Sequence, residues 1–331
     1  MYTPSKQVRA LLQNTPAGLY CPLGDFFIDP MRKVHRAVVT HAHADHARAG
    51  HDTVFATPET LAIMEARLGR KFAANPMPRG YGETLQLDDT AVSLHSAGHV
   101  LGSAQVLIEH DGFRVVASGD YKRSDDPTCV PFEVVPCDAF VTEATFALPA
   151  FSFPPALEEM DKLLTSLRLF PDYTHIIGAY SFGKTQRMMG LLRQKGWHET
   201  IYVHPTLMPI CKLYECFGVD LGPLEILSDK ALPNHVPLAF CPPSALTSGF
   251  ADQFAKHRIV AASGWLHGGP QARGSNAQVK MAISDHAGWP ELCETIEHTG
   301  AREVLVTHGD ETALSLWGRK NGVNAYALSS L

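Results

Sequence analysis

From residue 17 to about residue 130, apolar positions come in short blocks separated by Gly, Pro and Asp, the spacing of strands and turns. "GLYCPLGDFFIDP" reads as two short strands around Gly24, and "VHRAVVT" as a buried strand. "VFATPETLAIMEARLG" predicts a strand and then a helix from about 58 to 69, opened by Pro58 and closed by Gly69. "ETLQLDDTAVSLHSAGH" alternates as a strand pair with an Asp-Asp turn. "SAQVLIEHDGFRVVASGDY" is a hairpin, its two apolar runs joined at Asp111-Gly112. "DAFVTEATF" closes this region as one more buried strand.

The texture changes at the Pro- and Phe-rich "FALPAFSFPP". Beyond it "ALEEMDKLLTSLRLF" has helical spacing, "THIIGAYS" reads as a strand, "GKTQRMMGLLRQKG" as a helix, "TIYVH" as a strand and "PTLMPICKLYECFG" as a helix. That alternation predicts βαβ units on a parallel sheet. The end, from "QVKMAISDHAGW" to "REVLVTHGD", returns to strand, helix, strand. The pattern divides the chain into a first domain over 1–155, an inserted α/β domain over 156–270 and a return to the first domain over 271–331.

Composition alters this picture little. The 331 residues are 45% hydrophobic and 19% charged, enough for a sizeable core. A net charge of −6 argues against bulk attraction to nucleic acid, leaving room for a local basic groove or bound cations. The seven cysteines form no C-x-x-C pair, which suits a reduced, cytoplasmic compartment. The N-terminal segment has no apolar signal core, and no apolar run nears the ~18 residues of a membrane helix.

Histidine changes it a great deal. "VVTHAHADH" places His41, His43, Asp45 and His46 within six positions, directly after a strand-like run. At the end of an extended strand, positions two apart face the same way, so His41 and His43 can reach one ion. Asp45 and His46 follow in the loop and can reach a second. Ala42, Ala44 and Ala47 leave room for crowding. Imidazole with carboxylate suits zinc, manganese or iron. His99 in "SAGHVLGS", Asp120 in "VVASGD" and His308 in "VLVTHG" repeat one pattern of strand, ligand and glycine. A carboxylate at Asp120 could bridge two ions. Asp29 in "FFIDP" reads equally as an orienting partner for a ligand histidine or as a plain turn residue.

The order H-x-H-x-D-H, "AGH", "SGD" resembles the metallo-β-lactamase superfamily. The resemblance implies an αββα sandwich with two divalent ions, zinc or manganese, at a strand edge. One ion would take His41, His43, His99 and Asp120, and the other Asp45, His46, Asp120 and His308. "FVTEATF", "AISDHAGW" and "LVTHGD" resemble three further motifs of the β-CASP nucleases, carried by Glu143, His286 and His308. "GAYSFGKTQRMMGLL" and "AASGWLHGGP" resemble that branch's glycine-basic-x-Gln and serine-glycine segments. The chain looks most like the bacterial ligase-associated DNA exonucleases, relatives of Artemis and Apollo.

That resemblance implies a cytoplasmic DNA-repair exonuclease acting on single strands or DNA ends, 5′→3′ with a preference for a 5′-phosphate. Its pathway neighbours would be an ATP-dependent DNA ligase and a helicase. His286 would act as general acid, oriented by Glu143, with Asp45 also in the catalytic set. Plainer readings are a surface carboxylate at Glu143 and a helix cap at His286. Ser181, Lys184 and Arg187 are the candidate phosphate contacts, with Lys122 and Arg123 as further cations. Solvated surface charge is the ordinary alternative for each cation. An RNA-processing β-CASP ribonuclease is the nearest rival, a small-molecule metallohydrolase the second, and a catalytically silent nucleic-acid scaffold the third.

Overall fold

Asp111 and Gly112 both take positive φ, 47° and 76°, and the strands they join pair antiparallel with Phe113 opposite His110. The turn the sequence marked is the turn that forms. The computed structural model describes residues 3–227, 233–267 and 275–331, and the chain folds as two units.

The first unit comprises residues 1–125, 129–149 and 286–331. It opens with α1 (Lys6–Leu11), capped by the Ser5 side chain. A six-stranded sheet follows in chain order: β1 (Gln13–Thr15), β2 (Gly18–Cys21), β3 (Phe26–Ile28), β4 (Arg36–Val38), β5 (His51–Ala56) and β6 (Ala73–Pro78). Between its last two strands runs α2 (Pro58–Leu68), with Thr57 capping its start and Gly69 ending it at φ 86°.

A seven-stranded sheet completes the unit. Its members are β7 (Leu85–Leu87), β8 (Thr90–Ser96), β9 (Ala104–His110), β10 (Phe113–Ala117), β11 (Ala139–Ala144), β18 (Glu303–Gly309) and β19 (Asn324–Ala327). Their spatial order is β19-β18-β11-β10-β9-β8-β7, parallel from β19 to β10 and antiparallel from there on.

Strand periodicity decides what each face of this sheet touches. Val106, Ile108, Val115, Ala117, Val141 and Leu305 join one apolar cluster with Leu19, Phe26, Ile28, Val38 and Phe55 of the six-stranded sheet. Their neighbours Leu107, Val116, Phe140, Val304 and Val306 join another. That second cluster takes in Leu292 and Ile296 of α7 (Trp289–Thr299) and Leu314 of α8 (Glu311–Lys320). On the six-stranded sheet, α2 packs along β6 and buries Leu61, Ile63 and Met64. One face of the seven-stranded sheet thus meets the six-stranded sheet and the other meets α7 and α8.

The second unit comprises residues 126–128 and 150–285. Its six-stranded sheet is parallel throughout, in the order β14-β13-β15-β12-β16-β17. The strands are β12 (Thr174–Gly178), β13 (Ile201–Val203), β14 (Leu224–Ile226), β15 (Leu238–Cys241), β16 (His257–Ala262) and β17 (Val279–Met281). Its helices are α3 (Ala156–Leu169), α4 (Lys184–Gln194), α5 (Met208–Cys216) and α6 (Pro243–Thr247). The central strand β15 is buried at every position, as a parallel strand covered on both faces must be.

The boundaries differ from those predicted. The predicted crossing at 270/271 lies outside the described residues, as do the last three residues of "AASGWLHGGP". β17, expected to belong to the returning first domain, instead pairs in parallel with β16, Val260 opposite Val279. The chain therefore re-enters the first unit between Asp285 and His286. A three-residue strand pairs as readily with one parallel sheet edge as another, and only the register shows which.

Phe140 is wholly buried between β11 and the helices of its cluster. Its replacement by Ala should cost about 3–5 kcal/mol of stability, the usual range for deleting a buried ring. A lowered denaturant midpoint with the single replacement would show it, and an unchanged midpoint would refute this packing.

Candidate metal centre

The predicted ligands converge on one carboxylate. Asp120 follows β10 and is 5% exposed. Its Oδ2 lies 3.6 Å from His41 Nε2, 3.4 Å from His46 Nε2 and 3.8 Å from His99 Nε2. Its Oδ1 lies 3.9 Å from His308 Nδ1. His43 Nδ1 is 3.0 Å from His41 Nε2 and 3.1 Å from His99 Nε2. Among the described residues, three groups can each gather ligand atoms within 4.8 Å: His41, His43, His99 and Asp120; His46, Asp120 and His308; Asp120, Glu143 and His286.

Local backbone explains how each arrives. The chain leaves β4 at Val38, and Asp29, at φ 44° after β3, reaches across to it. Asp29 Oδ1 accepts from Thr40 N at 2.8 Å, and Oδ2 accepts from Thr40 Oγ1 at 2.6 Å. Oδ2 also sits 2.7 Å from His46 Nδ1. Of the two readings open for Asp29, the orienting one is what the structure holds, and it leaves His46 Nε2 facing Asp120. The Arg67 guanidinium of α2 donates to the Ala42 carbonyl between the first two histidines.

His308 is presented by a bulge. In the β11–β18 ladder Glu143 opposes Thr307 and Ala144 opposes Gly309, so His308 is the extra residue, at φ 54°. Gly309 cannot be otherwise, because a Cβ there would fall 2.0 Å from the Ala144 carbonyl oxygen. Gly119, at φ 56°, likewise lets Asp120's loop approach Thr40, which a Cβ would meet at 2.8 Å.

Electrostatics match a cation site. Burial pushes His41 well below the ordinary histidine value, and neighbouring His46 and His43 push the same way. Burial also opposes charge on His46, yet Asp120 and Asp29 outweigh it and hold His46 well above that value. For Asp120 burial favours the neutral acid, but His46 and His286 overcome it and keep the carboxyl well below the carboxylate range. His46 Nε2 is buried without a hydrogen-bond partner. A buried, partnerless imidazole nitrogen beside an ionised carboxylate fits a divalent ion, as does a donor set of imidazoles and carboxylates. Asp45 stands at the rim, its side chain 69% exposed and its Oδ2 3.8 Å from His46 Nε2. With Asp29, His46, Glu143, Thr307 and His308 it lines a cavity of about 290 Å³.

Glu143 and His286 form a pair of a different character. Glu143 is 1% exposed, and its Oε1 accepts from Tyr121 N at 2.7 Å. Its Oε2 accepts from Thr145 Oγ1 at 2.5 Å and lies 2.9 Å from His286 Nδ1. Both oxygens are thus engaged, and His286 Nδ1 stands 3.9 Å from Asp120 Oδ2. The surface-carboxylate reading of Glu143 does not hold.

The proposed phosphate contacts lie in the second unit and look different from expectation. Ser181 is half-buried ahead of α4. Lys184 and Arg187 are buried: Lys184 Nζ lies 3.0 Å from Asp285 Oδ1 and donates to Ile283 O at 2.8 Å. Arg187 contacts Asp126 at 3.4 Å and Asp285 at 3.3 Å, and donates to Ser284 O. Solvated surface charge is therefore excluded for both, since acids of the same unit hold them. In the first unit Lys122 pairs with Glu291 at 2.6 Å, and Arg123 with Glu294 at 3.3 Å.

Sequence reasoning missed Thr40, Thr145 and Arg67. The threonines adjoin predicted motifs and were within reach of it; Arg67, a helix turn far from any motif, carried no signal. Asp29→Ala should lower metal affinity by roughly 10–100-fold, the usual effect of removing a ligand's hydrogen-bond partner. Metal content after dialysis against graded chelator would measure this, and undiminished retention would count against the assignment.

No family model matches the chain. Over 319 residues it is 30% identical to a protein of Opitutus terrae named "Probable DNA ligase", covering 94% of this chain and 30% of that one. It is 25% identical to RNase aCSPSF2 of Saccharolobus solfataricus, over 72% of this chain and 53% of the relative. It is 24% identical to 5′ exonuclease Apollo of Danio rerio, over 64% of this chain and 39% of that protein. The chain thus spans from about a third to about half the length of these relatives. A crystal structure of a protein of unknown function from Enterococcus faecalis shares the fold, with a TM-score of 0.58 at 14% identity over 84% of this chain and 76% of that one. Taken with the ligand order and the Glu143, His286 and His308 segments, these relatives place the chain: it belongs to the β-CASP branch of the metallo-β-lactamase superfamily.

Proposed function

We propose that the protein is a metal-dependent DNA exonuclease that hydrolyses phosphodiester bonds of single strands or DNA ends in repair. The observation that carries this reading is the His286–Glu143 pair, 2.9 Å apart, beside a ligand set centred on Asp120. In this reading the first unit is the αββα sandwich of the superfamily and the second its β-CASP insertion. His41, His43, His99 and Asp120 hold one divalent ion, and Asp45, His46, Asp120 and His308 a second, zinc or manganese. When bound, the ions activate water and neutralise charge on the phosphodiester.

The chain's own residues do the rest. His286 Nδ1 donates to the Glu143 carboxylate, which fixes the ring. Its Nε2 proton then goes to the departing oxygen, so that an alkoxide never leaves unprotonated. Tyr121 N–H and Thr145 hydroxyl hold Glu143 still while this happens. Ser181 remains a candidate contact for a substrate phosphate. Lys184 and Arg187 serve better as the internal frame of the insertion than as direct phosphate ligands, because acids already neutralise them.

DNA is favoured over RNA by the relative named as a DNA ligase, whose matching third covers nearly all of this chain. That name supports a pathway link to a DNA ligase, while a helicase link and a cytoplasmic location rest on the family resemblance alone. The relative named a 5′ exonuclease favours 5′→3′ polarity, and the 5′-phosphate preference rests on the family resemblance alone. The relative named an RNase keeps an RNA-processing activity as the second reading.

Single-stranded DNA labelled separately at each end, beside matching RNA and with Mn²⁺ or Zn²⁺ supplied, tests this. Stepwise loss of the 5′ label, abolished in His308→Ala, is the expected result. His286→Ala should slow hydrolysis by about 10²–10⁴-fold, the range of a general acid. Preferential RNA cleavage or internal cuts would move the assignment to the second reading.

A further inference from the structure

Two segments of the first unit carry the centre: residues 120–124, which begin with the hub Asp120, and residues 286–291, which begin with His286. Ties between them lie outside the metal and acid machinery. Ala287 N donates to Tyr121 O at 2.7 Å. Glu291 Oε2 accepts from Lys122 Nζ at 2.6 Å, and Glu291 Oε1 accepts from Ser124 N at 2.9 Å. Oε2 also accepts from Gly288 N at 2.9 Å, closing the first turn of α7.

A helix cap explains only the last of these. Glu291 at the third helical position needs just the Gly288 amide to complete a capping box. Reaching Ser124 and Lys122 as well is a separate commitment. It is also an expensive one, because Lys122 is 4% exposed and a buried ammonium is tolerated only when well paired. The ion pair sits two residues beyond Asp120 and five beyond His286, so it controls the spacing between them.

We propose that Glu291, through Lys122 and Ser124, is a positioning residue that holds the His286 segment against the Asp120 loop. It thereby fixes where the acid stands relative to the reacting phosphodiester. The proposal rests on His286 acting as general acid. Removing the tie would let the 286–288 segment drift while leaving the ligand set built. Leaving-group protonation would suffer first, since small displacements of a catalytic group are costly.

Two substrates separate this from a loss of fold. Single-stranded DNA has an alkoxide leaving group and needs a proton; bis(4-nitrophenyl) phosphate releases a phenolate that does not. Glu291→Gln should slow DNA hydrolysis by about 10-fold through kcat, with KM little changed, as a misplaced acid would. Its effect on the nitrophenyl ester should be within about twofold, since no proton is needed there. The double variant Lys122→Gln/Glu291→Gln removes both charges of this pair together and should show the same selective loss, less than the sum of the single effects. Metal content and melting of the double variant are the fold controls.

Equal losses on both substrates, or no loss on either, would overturn the proposal. His286→Ala, measured on the same pair, keeps the two claims apart. If it too fails to discriminate between leaving groups, the general-acid reading falls and this one with it. If it discriminates and the Glu291 variants do not, the positioning role alone is wrong.

Discussion

One buried carboxylate organises the first unit. Asp120 is surrounded by His41, His46, His99, His286 and His308, each within 3.9 Å of one of its oxygens. An anion in that position, shielded from water, is tolerable only because cationic or metal-bound groups face it. Everything nearby is arranged to make that true. Asp29 turns His46 inward, the bulge at His308 aims an imidazole from the neighbouring strand, and Gly119 allows the loop close to Thr40.

The sheets supply the rigidity. Residues of β10, β11 and β18 alternate between the inter-sheet core and the helix-covered face, so each strand is pinned from both sides. The candidate ligands emerge where these strands end, and their backbones inherit the precision of the core. A site on strand ends with positive-φ residues at Asp29 and His308 is locally strained, and such strain persists only where the surroundings determine it. Two glycines bear the same signature, since neither Gly119 nor Gly309 has space for a side chain.

The cations of the chain show how charge and burial interact. Lys122, Lys184 and Arg187 all appear in the sequence as candidates for phosphate, yet each is buried against carboxylates. In a chain of net charge −6 these three cations add no positive surface, because carboxylates already face them. Their work is internal: Lys184 and Arg187 knit the end of the second unit, and Lys122 joins two loops of the first.

Much of this was legible without coordinates. Hairpin, helix caps, strand spacing and the order of histidine and aspartate along the chain are local properties, written in residue type and separation. They sufficed for the family, and the histidines and aspartates they single out come together around Asp120. Three things were decided only in three dimensions. Which sheet β17 joins, and hence that the crossing falls at Asp285–His286, depends on pairing partners far apart in sequence. Whether Asp29 orients His46 or merely turns the chain depends on where Thr40 comes to rest. Whether a lysine meets solvent or a buried acid depends on residues more than a hundred positions away, such as Glu291 for Lys122 and Asp285 for Lys184. Periodicity encodes what a residue contributes to its own element; burial and charge pairing arise between elements, and the sequence carries no local mark of them.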